Sequence, residues 1–140
     1  MDSLSDKIEF KYSKLQSDVD DPTEDWQLLL RVTARFSIWI RGKIFFDEPD
    51  FPVVEFAEQA KQWALNGGNF SYVSMETDEN PMISFHQAGG DKISISALAS
   101  AFEVDAPLNA PTVLREIEGF IRCLGEDVKS KLGIDVARIF

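Results

Sequence analysis

From Val32 to Ile40 the chain alternates without a break. Val32, Ala34, Phe36, Ile38 and Ile40 fall on one side, and Thr33, Arg35, Ser37 and Trp39 fall between them. A period of two sustained over that length belongs to a strand with one face in a core and one in water. Trp26 is read as the opening of this strand. The stretch Leu28 to Leu65 then becomes a long strand, a tight turn at Arg41-Gly42, a short return strand from Lys43 to Phe46, and a helix. Two turns are compatible with the return. A two-residue turn sets Lys43 beside Ile40. A three-residue turn sets Ile44 beside Ile40 and Phe46 beside Ile38, keeps apolar residues on one face, and is preferred on that ground. Gly42 supplies the positive φ that either needs.

The remaining elements follow from the same two periods. Lys7 to Lys14 alternates as a first strand. Asp47-Glu48-Pro49-Asp50 leads to a helix with Asp50 or Phe51 as N-cap and Pro52 in the first turn. Val53, Phe56, Ala57, Ala60, Trp63 and Ala64 form its inward stripe, Glu55, Glu58, Gln59, Lys61 and Gln62 face water, and Asn66-Gly67-Gly68 stops it. Phe70 to Met75 and Met82 to Gln87 read as two strands joined by the polar link Glu76 to Pro81. Lys92 to about Phe102 reads as a further strand, although its ALASAF half has helical propensity. Asn109-Ala110-Pro111-Thr112 announces a last helix whose stripe runs from Val113 to Leu132, closed by Gly133. The expected architecture is a single α+β domain over residues 1–140. It comprises a mostly antiparallel sheet of about six strands in the order βββ-α-βββ-α, with two helices packed on one face.

At 140 residues and 44% apolar content, the chain can build a core without disulfides or metal. Arg31, Arg35 and Arg41 interrupt the longest apolar run, and MDSLSDKIEF has no secretory h-region, so a cytoplasmic protein is expected. The single Cys123 agrees with a reducing compartment and reads as a small packed residue on the last helix.

Charge is the most informative global property. Twenty-four acids against fourteen bases give −10, a field that repels nucleic acid and anionic membranes and attracts basic partners. The excess is uneven. Between Ile44 and Asp91 stand nine acids (Asp47, Glu48, Asp50, Glu55, Glu58, Glu76, Asp78, Glu79 and Asp91) and one base, Lys61. A second group, Asp18, Asp20, Asp21, Glu24 and Asp25, includes no base. Uneven charge points to a partner surface more directly than total charge does.

Catalytic and cofactor chemistry finds little support. His86 is the only histidine, so transition-metal and Cys/His nucleophile sites lack ligands, and it reads as a surface residue. No G-x-S-x-G, G-x-G-x-x-G, P-loop or EF-hand pattern is present. No enzyme activity, cofactor or metal is expected. Arg31, Arg35 and Arg41 with Trp39 on the polar strand face suggest a single-strand nucleic-acid platform, but ion pairs across the strands are the better account of these arginines.

The order of landmarks is similar to a known class. Phe36-Ser37-Ile38-Trp39-Ile40 and a Gly turn precede Phe45-Phe46-Asp47-Glu48-Pro49. The helix from Phe51-Pro52-Val53-Val54-Glu55 to Trp63 follows, then Phe70-Ser71-Tyr72 with Glu76, and Pro81-Met82-Ile83-Ser84-Phe85. This resembles small bacterial immunity proteins, including those paired with contact-dependent growth-inhibition toxins. The resemblance implies occlusion of a cognate toxin domain, often a basic nuclease, by an acidic surface. On that reading Asp47, Glu48, Asp50, Glu76, Asp78 and Glu79 are the partner-facing residues. The alternative is a non-enzymatic interaction or regulatory domain for another partner, its acidity serving solubility.

Overall fold

The computed structural model of the chain describes residues 7–18, 24–136 and 140. Asp20, Asp21 and Ile139, which the sequence reading assigned to an acidic loop and an apolar tail, lie outside them. The elements run β1 (Ile8–Ser17), α1 (Asp25–Arg31), β2 (Val32–Ile40), β3 (Lys43–Phe51), α2 (Val53–Asn66), β4 (Phe70–Tyr72), β5 (Ile83–Gln87), β6 (Lys92–Ala97), β7 (Leu108–Asn109) and α3 (Ala110–Leu132). The α+β class and the antiparallel pairing are as expected. The single sheet in βββ-α-βββ-α order is not: the strands form two sheets, β1-β2-β3 and β4-β5-β6-β7, and the described residues contain three helices.

The first correction lies at Trp26. Residues 25–31 are helical rather than the start of β2. Gln27 to Leu30 carry no branch at Cβ and favour a helix, and β-branched Val32 marks the change to strand. The Glu24 backbone N–H donates to Gln27 Oε1 at 3.2 Å, while Leu28 N donates to Glu24 O at 3.3 Å. These bonds close the first turn. Leu28 is buried and Trp26 is exposed, with the Arg31 guanidinium 5.7 Å from its ring centre.

The hairpin between β2 and β3 resolves the register. Ile40 pairs with Lys43 across the two-residue turn Arg41-Gly42, both residues having positive φ (53° and 81°). The three-residue turn is therefore not the one adopted. Its preferred partner for Ile38 is nonetheless right, because Trp39 pairs with Ile44 and Ile38 with Phe46. One extra residue, Phe45, is accommodated as a bulge. Phe45 and Phe46 are both buried in consequence. The Phe45 carbonyl accepts from Ala101 N at 2.8 Å, and its ring meets Phe102 edge-on at 5.5 Å, tying the first sheet to the segment after β6.

β3 continues through Asp47-Glu48-Pro49-Asp50 to Phe51, so these residues are an edge strand and not a lead into the helix. A second register shift between the Ala34–Phe51 and Phe36–Glu48 pairs accommodates Pro49, which cannot donate to a ladder. The residue preceding α2 is Pro52, not Asp50 or Phe51. The last predicted strand stops at Ala97 instead of running to Phe102, and β7, which the periodicity does not reveal, adds two residues against β6.

The core forms where α2 and α3 pack against both sheets. Phe56 on α2 lies within 5.1–6.4 Å of Phe10, Phe36, Phe51, Phe70, Tyr72 and Phe120, ring centre to ring centre. It thus gathers rings from both sheets and α3. Each such side chain, fully buried, contributes about 1.5–3 kcal/mol by transfer alone. α3 is capped as its sequence suggests: Asn109 Oδ1 accepts from Thr112 N at 3.1 Å, and Gly133 takes the left-handed conformation.

Candidate functional site

The loop from Val73 to Met82 carries Glu76, Asp78 and Glu79, and side chains hold it throughout. Gln59 on α2 pairs with the Val73 backbone in both directions, Nε2 donating to Val73 O at 2.7 Å and Oε1 accepting from Val73 N at 3.1 Å. Asn80 fills the loop's interior. Its Oδ1 accepts from Ser74 N at 3.0 Å, and its Nδ2 donates to Thr77 O at 2.6 Å and Ser74 O at 3.2 Å. Ser74 Oγ accepts from Glu76 N and Thr77 Oγ1 from Glu79 N. Short polar side chains that satisfy nearby backbone groups explain the composition of this segment.

A buried acid anchors the loop. Glu55, assigned to the water-facing side of α2, is only 1% exposed. Its Oε1 accepts from Tyr72 Oη at 2.6 Å and its Oε2 from Met75 N at 3.0 Å. Burial first, then the Glu55 carboxylate, pushes the Tyr72 hydroxyl well above its ordinary range. Its neighbours Val53, Val54, Phe56 and Ala57 are all buried too. That first turn is enclosed on every side, and its unbroken apolar surroundings in the sequence were the available signal.

The six predicted partner-facing acids divide between β3 and the loop. Glu76, Asp78 and Glu79 are exposed on the loop. Asp47 and Asp50 are exposed on the edge strand, and Glu48 is half-buried beside Phe36. The two groups flank the Glu55–Tyr72 bond. Phe51, next to Asp50, has its ring 5.4 Å from that of Tyr72, while Met75, next to Glu76, is bonded to Glu55. Asp47 is committed to a partner: Arg35 donates from Nε at 3.1 Å and from Nη2 at 2.7 Å, holding the carboxyl below its usual range. The other five form no ion pair with a described residue. Beside them the surface is apolar. Val73 and Met75 are 47% and 62% exposed. Met82 N donates to Tyr72 O and Leu98 N to Met82 O, which brings Leu98, also exposed, onto the same end of the second sheet. The sequence reading did not single out this apolar group.

The cationic strand face is spoken for. Arg35 pairs with Asp47, Arg31 with Asp18 at 3.4 Å, and Arg41 donates to Ala106 O at 2.9 Å. Lys11 sits 4.4 Å from the Trp39 ring centre and 3.6 Å from Glu9. Only the Arg35–Asp47 pair spans two strands as expected; Arg31 closes α1 and Arg41 lies in the β2–β3 turn. His86 is exposed on β5. Cys123 is exposed as well, contrary to its reading as a packed residue, because the stripe of α3 passes through Phe120 and Leu124. Among the described residues, no group of three or more His, Cys, Asp and Glu is placed to hold a metal ion. No helix among the described residues is long and apolar enough to cross a membrane.

Fold and surface together define a small antiparallel α+β domain that presents a braced acidic loop beside exposed apolar side chains. The chain belongs to the family described as a domain of unknown function, DUF7878, which matches residues 8–130. Comparison with curated proteins and with solved structures gives no match.

Proposed function

We propose that this chain is an immunity-type protein that binds and neutralises a cognate bacterial toxin domain, its acidic surface covering a basic active site. The observation that carries this reading is the loop of residues 73–82. Glu76, Asp78 and Glu79 project from a backbone already held by Gln59, Asn80 and Glu55. A partner would meet a pre-formed shape, so little ordering entropy opposes binding. Val73, Met75 and Leu98 beside it offer the apolar centre that a stable interface needs within a charged rim. A net charge of −10 speeds encounter with a cationic partner and disfavours direct nucleic-acid or membrane binding. The protein would act in the cytoplasm by occlusion, without catalysis, cofactor or metal.

The test is capture from native lysate with the tagged chain, followed by expression of the captured protein. The proposal expects a basic domain whose expression arrests growth and whose toxicity this chain relieves. Capture of a non-toxic protein would instead make the chain an interaction or regulatory domain for another partner.

A further inference from the structure

The two sheets turn different faces to solvent. On the first, Glu9 and Lys11 of β1, Arg35 of β2 and Asp47 of β3 stand outward and are joined in ion pairs. On the second, Phe70, Tyr72, Ile83, Phe85, Ile93 and Ile95 point into the core and are buried, so the residues alternating with them face outward. The register sets Ser71 beside Ser84 and Ser84 beside Ser96, one row across three strands. His86 lies beside Ser94 in the next row. Ser71, His86 and Ser96 are exposed, and Ser84 on the middle strand is enclosed by its neighbours. Among the outward positions of β4, β5 and β6 only Lys92 is charged, at the end of β6 remote from the acidic loop.

This is a departure for a chain in which 27% of residues are charged. A sheet face turned to water ordinarily carries such residues, and they discourage association. Serine takes their place here. Its side chain is short, so the row is low and a second surface can come close to the backbone. Each hydroxyl donates or accepts as the contact requires. The face also runs on into the apolar group already described. Val73 stands two residues beyond Ser71 and Leu98 two beyond Ser96, both exposed. Glu76, Asp78 and Glu79 follow at that same end. An uncharged centre bordered by charge is the anatomy of a protein interface.

We infer that the outward face of the second sheet, around Ser71, Ser84 and Ser96, is the flat centre of the surface that receives the basic partner, with the acidic loop as its charged rim. This rests on the reading of the chain as a toxin-binding immunity-type protein, and it adds what the partner presents: a flat, uncharged patch with basic residues along one side. Charge fixes the orientation, because reversed docking would lay those bases over Lys92.

The probe is the protein captured from lysate by the wild-type chain, and the variants are Ser71→Glu and Ser96→Glu. Both positions are exposed, and circular dichroism with urea denaturation verifies that each variant is folded. An added acid strengthens long-range attraction to a basic partner, so charge alone would leave binding as tight or tighter. Enclosed at the centre of a contact without a counter-charge, the same acid speeds release. Biolayer interferometry should show dissociation about tenfold or more faster for both variants, with association not slowed. Ser13→Glu, an exposed position on the first sheet, should dissociate as the wild-type chain does. Dissociation unchanged in Ser71→Glu and Ser96→Glu overturns the inference, and slower association of E76Q/D78N/E79Q in the same measurement would then leave the immunity reading standing. Failure to capture any basic protein overturns both. A free chain whose sedimenting mass is twice 15.8 kDa, and which Ser96→Glu returns to monomer, would assign the face to a second copy and overturn the inference as well.

Discussion

Tyr72 donates its hydroxyl to the buried carboxylate of Glu55 at 2.6 Å, and this bond joins the first turn of α2 to the start of the acidic loop. Removing the hydroxyl leaves a carboxylate that is 1% exposed with one remaining donor, the Met75 amide. Tyr72→Phe should therefore cost about 1–3 kcal/mol in chemical denaturation. It should also raise hydrogen exchange at Met75 more than at amides of α3, since the loop depends on Glu55 locally.

The same pair makes stability depend on alkaline pH. The Tyr72 hydroxyl is raised above the ordinary tyrosine value of 10.0 by burial and by Glu55, and Tyr12 is raised by burial and by Asp127, to which it donates at 2.5 Å. A group raised in the folded state contributes its full stability below its unfolded pKa and loses it as pH climbs through the folded value. Melting temperature should hold up to about pH 10 and fall beyond it. The alkaline fall should be shallower in Tyr72→Phe, whatever its starting stability.

On the acid side the relevant pair is Arg35–Asp47. The hydrogen bonds from Arg35 lower the Asp47 carboxyl, so its contribution is present above the ordinary carboxylate range and lost as pH falls through the lowered value. Solvent reaches both side chains, so the effect is small and weakened by salt. Asp47→Asn should flatten the low-salt acid arm of the thermal stability profile and change little at neutral pH in high salt.

Phe36 tests the core. Its ring stacks on Phe51 at 4.7 Å and meets Phe46, Phe56 and Phe120 within 6.2 Å. Phe36→Ala should cost about 3–5 kcal/mol in urea denaturation, a large share of the stability of a domain this size. A loss near that of a surface substitution would contradict the packing.

The elements legible in the sequence were those with long, one-sided periods. β2 alternates from Val32 to Ile40, and the α2 and α3 stripes through Phe56 and Phe120 repeat at three and four residues. α1 escaped because Leu28-Leu29-Leu30 fits either period, and the capping partners Glu24 and Gln27 were the only discriminating sign. The hairpin register was ambiguous because Phe45 and Phe46 are both apolar, so a bulge and a longer turn satisfy the same pattern. β7 is too short for any period to show. At the candidate site, the acids themselves are plain in the sequence. Their bracing by Gln59 and Asn80, and the burial of Glu55, depend on contacts between residues up to 20 positions apart. A carboxylate in a first helical turn ordinarily reads as a dipole-facing surface residue.

The account rests centrally on Glu76, Asp78 and Glu79 meeting a basic partner. Its most direct test is stopped-flow association of the protein captured from lysate with the wild-type chain and with the E76Q/D78N/E79Q triple variant. At low ionic strength the account predicts association about tenfold or more slower for the variant, with the difference shrinking as salt is added. An equal association rate for the two chains, unchanged by salt, would contradict it.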